Sequence, residues 1–152
     1  HLKVVKYLDK EDADMSVDEG SCLYYGIAHE SIFNFLLKRS LKVSQKLKDR
    51  IFFQALKSKN SGLVQTILDS GLLGKDSTLI ALGSLISIKN NDLLSFHYLY
   101  EFGFDTSFVL EGKNITEWVE SLKSDDISYY LNHSNLRKEL ITWKLGNKQA
   151  IS

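Results

Sequence analysis

Apolar residues along much of this chain recur at three- and four-residue steps, the spacing that gathers them on one face of an α-helix. The opening stretch, Leu2-Lys3-Val4-Val5-Lys6-Tyr7-Leu8, has this form, and four later stretches are worn copies of it. With Val4 as the reference position, the counterparts are Ile32, Leu63, Ser95 and Ile127, at intervals of 28, 31, 32 and 32 residues. Each later copy follows another amphipathic segment, at residues 23–29, 51–57, 79–89 and 115–122. Helix pairs recurring about every 33 residues predict an all-α helix-pair solenoid. Its units run over about 1–17, 18–44, 45–74, 75–107 and 108–134.

The polar positions punctuate the same pattern. Asn114 followed by Glu117 reads as a capping box, and Ser77, Asp92 and Ser124 as helix caps. Gly71 and Gly103 stand where a second helix must stop in the left-handed conformation. Residues 135–146 predict a last helix, with Leu136, Leu140 and Trp143 or Leu145 covering the end of the stack; 135–152 form a C-terminal capping helix and tail. The opening helix has no partner of its own, and Val4, Val5 and Leu8 need a neighbour on its N-terminal side. With no initiator Met before His1, the expectation is a fragment of a longer repeat protein.

The residues 1–8, followed by Ala13-Asp14-Met15-Ser16-Val17, resemble the second helix and finger of an ankyrin repeat. Gly103-Phe104-Asp105-Thr106-Ser107 is similar to the Gly-Ala-Asp-Val-Asn segment of that family, and 112–119 followed by 127–131 resembles a late repeat. The resemblance covers residues 1 to 134 and is weakest over 72–95. The first-helix signature Thr-Pro-Leu-His-Leu-Ala-Ala stands here as residues 21–27 and 50–56, where Leu23/Gly26 and Phe52/Ala55 survive and the proline and histidine are gone. In the family that histidine ties neighbouring repeats together, so the resemblance implies a less stable stack that melts broadly. The worn, proline-free repeats are similar to ankyrin proteins that intracellular bacteria and large viruses direct at host proteins.

Composition narrows the function by exclusion. Nineteen basic and nineteen acidic residues balance, so bulk electrostatics recruit neither nucleic acid nor membrane. No apolar run approaches the roughly 20 residues of a membrane span. The lone Cys22 excludes an internal disulfide and a cysteine zinc cluster and suits the cytoplasm, or for a pathogen factor the host cytoplasm or nucleus. The absence of proline fits helices with short connections.

Residues 12–20 alternate oxygen ligands like a calcium loop, but Val17 and Leu23 occupy the positions that need Gly and Glu. Gly71-Leu72-Leu73-Gly74-Lys75-Asp76-Ser77 has too short a gap between its glycines for a phosphate loop, and Asp76 would repel phosphate. His1, His29, His97 and His133 lie on different units without metal-ligand spacing. No catalytic residue, metal or cofactor is expected, and the chain reads as a non-enzyme.

Two surface features remain. Lys38, Arg39, Lys42, Lys46, Lys48, Arg50, Lys57 and Lys59 form a basic run against Asp49 alone, next to an acidic finger over 9–19. The two fingers attract each other, or the 42–50 finger docks an acidic partner surface through Lys42, Lys46, Lys48 and Arg50. By position, the ankyrin resemblance implies partner contacts at Ala28 and His29, at Lys57 and Ser58, and at Phe108 near a finger tip. The expectation is a protein-protein interaction module, monomeric or weakly self-associating, with a protein partner. The alternatives are a targeting or autoinhibitory arm of a larger enzyme, and a structural spacer.

Overall fold

The computed structural model describes residues 2–10, 29–37, 44–74, 77–103 and 106–151, and these are mostly helix. In chain order the helices are α1 (Leu2–Lys10), α2 (Glu30–Leu37), α3 (Gln45–Lys57), α4 (Ser61–Asp69), α5 (Ser77–Lys89), α6 (Leu93–Phe102), α7 (Ile115–Ser121), α8 (Asp125–Asn132) and α9 (Arg137–Ile151). A 3-10 turn, Ser134–Leu136, leads into α9. The all-α expectation therefore holds for the described residues, where pairing between extended segments amounts to one isolated bridge, Leu110 with Lys113.

Three helical hairpins, α3–α4, α5–α6 and α7–α8, share one joint. Lys59, Asn91 and Lys123, spaced 32 residues apart, take φ of 56°, 49° and 56°. Each donates its N–H to the carbonyl three residues back, and the residue after it donates to the carbonyl five back, on Ala55, Ser87 and Val119 respectively. This is a Schellman-type ending, which satisfies the last carbonyls of the first helix. The following residue then starts the second helix: Asn60 Oδ1 accepts from Leu63 N at 3.1 Å, and Asp92 Oδ1 from Ser95 N at 3.3 Å. Connections this short force each pair to run antiparallel and in contact.

The hairpins stack in two layers. First helices α3, α5 and α7 lie side by side, as do second helices α4, α6 and α8, while each hairpin also closes on itself. One core runs through all of them, from Phe33 and Leu36 of α2 through Phe52, Val64, Ile88 and Phe96 to Val119, Ile127 and Tyr130. Full burial of each large apolar side chain contributes about 1.5–3 kcal/mol before entropy is counted. Helix α5, between α3 and α7, is apolar on nearly every side, and Gly83 lets the Phe52 ring close on its backbone. Its buried Ser84 and Ser87 hydroxyls donate back to Ile80 O and Gly83 O at 3.0 and 3.2 Å. Side chains also tie hairpin to hairpin: Asn90 Nδ2 donates to Leu56 O at 3.3 Å, and the Ser124 hydroxyl donates to Ile88 O.

Several expected ends shift. Helix α3 begins at Gln45, six residues before the predicted segment, because Ser44 Oγ caps Leu47 N at 3.3 Å while the first turns carry mostly polar residues. Ser77 is the first residue of α5 rather than its cap. The 3-10 turn resets the phase of the last helix, and among its described side chains Ile141 is the buried one. Leu140 and Leu145 pack partly against the core, whereas Leu136 and Trp143 are exposed. The capping box of Asn114 and Glu117 forms as predicted, as do the left-handed Gly71 and Gly103. Helix α1 packs on α2, with Lys6 over the Phe35 ring, and exposes Val4 and Tyr7. The predicted segment 23–29 lies outside the described residues except for His29.

Candidate partner-binding surface

The basic run is a helix surface over its second half, not a finger loop. Lys46, Lys48 and Arg50 all belong to α3, whose apolar positions Leu47, Ile51, Phe52, Ala55 and Leu56 face inward. Helical geometry then places Lys46, Arg50, Phe53 and Lys57, at i, i+4, i+7 and i+11, on the opposite stripe. Lys46, Arg50 and Lys57 are exposed and Phe53 is half-buried, its ring 5.8 Å from that of Phe52. Lys48 falls off the stripe toward the packed side and is half-buried. Near it, Gln45 Nε2 donates to Asp49 Oδ1 at 2.8 Å. Helix α3 has no acidic residue in its first turn. Lys46 and Lys48 therefore oppose the helix dipole, each at a cost of about 0.3–1 kcal/mol. Helix stability does not explain cations at that end.

The neighbouring first helix extends this surface. Across the 32-residue spacing of the joints, Leu82 and Leu85 of α5 are the counterparts of Arg50 and Phe53. Leu82 is exposed and Leu85 half-buried. A basic stripe thus borders an apolar one.

The remaining predicted residues are scattered or undescribed. Ala28, Lys42 and the acidic finger over 11–19 lie outside the described residues. His29 is exposed just before α2, where its carbonyl accepts from Phe33 N at 3.0 Å. Ser58 ends α3 and is exposed, with its hydroxyl donating to Ala55 O at 3.0 Å. Phe108 is half-buried and packs against the core, so among the described residues of that loop the exposed apolar one is Val109, at 64 % exposure. Beyond it, Glu111 and Gly112 both take positive φ between the two hydrogen bonds joining Leu110 and Lys113, a type I′ hairpin tip. Trp118 supports that tip by donating its indole N–H to Leu110 O at 3.1 Å, with Lys113 over its ring.

A second constellation, which no motif in the sequence marks, joins α6, α8 and α9. Phe96, His97 and Tyr100 of α6 meet Tyr130 of α8, and Arg137 at the start of α9 closes over them. The guanidinium carbon sits 4.8 Å from both the Tyr100 and the Tyr130 ring centroids. Arg137 donates to Tyr130 O at 2.7 Å, Tyr100 Oη at 3.0 Å and Leu131 O at 3.2 Å. Tyr130 Oη and His97 Nδ1 are 2.9 Å apart. Burial holds the His97 pKa below its ordinary value, partly offset by Glu101. Burial likewise pushes the Tyr130 phenol up to about 12, against the pull of Arg137. The two neutral rings so form a hydrogen-bonded pair at neutral pH. The sequence signal was an arginine just beyond the last of the repeated tyrosines, at the point where helix phase changes.

Among the described residues no group of three or more His, Cys, Asp or Glu side chains is placed to hold a metal ion, and no helix is long and apolar enough to cross a membrane. Compared with family models, curated proteins and solved structures, the chain matches none.

Proposed function

We propose that this chain is a degenerate ankyrin-type repeat stack that binds a partner protein through its first-helix layer, without chemistry of its own. The observation that carries the reading is the stripe of Lys46, Arg50, Phe53 and Lys57 on α3, beside Leu82 and Leu85 on α5. An aromatic and two leucines supply apolar area, and arginine and lysines supply charge at its border, the composition that interface centres and rims favour. The partner surface is acidic, so charge contributes mainly to encounter rate and register.

The ankyrin assignment draws on three features of the fold. The hairpin joints recur every 32 residues with one hydrogen-bond pattern. Side chains of one hairpin reach the equivalent carbonyls, Leu56 O and Ile88 O, of the one before. The loop before α7 carries a type I′ tip in the place of a finger.

The test compares wild type with a Lys46→Glu/Arg50→Glu variant in cross-linked capture from cell extract, followed by affinity measurement on the partner obtained. Both side chains are exposed, and an unchanged circular dichroism spectrum and melting temperature check that the variant keeps its fold. Affinity should fall at least tenfold at low salt, with a smaller gap at high salt as charges are screened. A partner held equally well by both forms removes the stripe from the interface.

A further inference from the structure

The groove between α4 and α6 is open, whereas its counterpart between α6 and α8 is filled by the chain's own Arg137. The open groove is a cavity of about 310 Å3 lined by Gln65, Leu68, Asp69, Tyr98, Glu101 and Phe102. A shift of 32 residues, the spacing of the joints, carries Leu68 onto Tyr100, Tyr98 onto Tyr130 and Asp69 onto Glu101. Tyr100 and Tyr130 are the rings against which the Arg137 guanidinium lies. One of the two rings thus recurs in the open groove, as Tyr98, and Phe102 supplies a second aromatic face there.

The copies differ in how they accept the guanidinium N–H groups. In the filled groove the acceptors include Tyr130 O and Leu131 O. These carbonyls are available because α8 stops at Asn132. Helix α6 runs on to Phe102, and Leu99 O, the counterpart of Leu131 O, already accepts from Gly103 N. The open groove offers carboxylates instead, Asp69 from α4 and Glu101 from α6. Among the described residues neither forms an ion pair. Asp69 adds to the burial that raises the Tyr98 phenol, so its negative field reaches into the groove, whose wall Glu101 also lines. Aromatic faces and carboxylates together suit a planar, weakly hydrated guanidinium better than a compact ammonium.

We infer that the α4–α6 groove is a binding site for a guanidinium group, carried by an arginine residue of a peptide or by a free small molecule. Its occupant lies against Tyr98 and Phe102 and donates to Asp69 and Glu101. The site is on the second-helix layer, apart from the α3 stripe, and it stands whether or not that stripe binds a partner.

The experiment is an amide-resolved NMR titration of the 15N-labelled chain. The probes are Nα-acetyl-arginine methylamide, the citrulline analogue, which is nearly isosteric and uncharged, and acetyl-Gly-Arg-Gly amide. Saturable shifts centred on residues 69, 98, 101 and 102 with both arginine probes, and none with citrulline, are expected. A tighter tripeptide identifies a peptide arginine as the source, and equal affinities identify a free guanidinium compound. An Asp69→Asn/Glu101→Gln variant should bind arginine roughly tenfold or more weakly. Both residues are exposed, and the unshifted remainder of its spectrum reports an intact fold. An equal response to citrulline, no saturable shift in the groove, or undiminished binding by the variant overturns the inference.

Discussion

Gly83 shows how one missing side chain sets the spacing of two helices. A Cβ built there would lie 2.5 Å from Cζ of Phe52, a ring that is fully buried and has nowhere to move. Alanine is intrinsically better than glycine in a helix by about 1 kcal/mol. Overpacking a tight core costs about 1–3 kcal/mol, so Gly83→Ala should lower stability by about 1 kcal/mol in urea unfolding. Phe52→Leu in the same chain should recover part of that loss, since the two residues share one contact. His97 gives a pH prediction at the same scale. Its folded pKa lies below the ordinary 6.5, so the unfolded chain takes up a proton first as pH falls. Stability is then full above about 6.5 and declines below it, the sign required when the unfolded state binds more protons. The groups around the ring are Glu101, Tyr98 and Tyr130, and Glu101 offsets part of the loss by attracting the charged ring. Urea midpoints between pH 7.5 and 5 should fall, and His97→Gln should flatten that slope. Neither residue could be understood from the sequence alone. Glycine in an apolar helix does not disclose what approaches it, and a histidine between aromatic residues does not disclose its hydrogen-bond partner.

The helices were legible wherever one face was apolar and a cap was spelled out. Asp92, Asn114 with Glu117, and Gly103 mark boundaries that physical rules read directly, because each supplies the one group its helix end lacks. Helix α5 was legible in extent but not in orientation, since apolar residues surround it and three helices cover it. Helix α3 hid its first half behind polar turns, which is why a helical stripe read as a charged finger. The joints yield a prediction about whole elements. Lys59 and Lys123 hold a left-handed backbone that costs an L-residue about 1–2 kcal/mol, whereas glycine takes it freely at an entropic cost of about 0.5–1 kcal/mol. Lys59→Gly and Lys123→Gly should each stabilise the chain by up to about 1 kcal/mol. Asn91→Gly should do less, because asparagine tolerates this conformation better than lysine. Thermal unfolding of the three single variants tests that order. A loss of stability at either lysine position would mean that its side chain makes contacts outweighing the backbone strain.

At the scale of the molecule, stability in a stack of hairpins is a sum of the hairpins and the interfaces between them. The ankyrin resemblance implied a weak stack, since the histidine that links repeats is missing. The structure supplies other links in the second-helix start and the joint, Ser124 to Ile88 O and Asn90 to Leu56 O. Ser124 illustrates the exchange. It holds the N-cap position of α8, yet no side-chain cap bond forms there, and its buried hydroxyl goes to the preceding hairpin. Removing that hydroxyl therefore leaves the local helix start nearly unchanged while taking a hydrogen bond out of the interface, at a cost of about 0.5–1.5 kcal/mol, since Ile88 O keeps its bond from Asn91 N. Ser124→Ala should accordingly loosen α7, α8 and α9 together and leave α3 and α4 protected. Hydrogen exchange resolved by peptide separates this from a local defect. Faster exchange spread over α7 to α9 fits a stack whose interfaces can open one at a time. Uniformly faster exchange from α3 to α9 would instead mean that the hairpins unfold as a single cooperative unit, with Ser124 contributing to the whole.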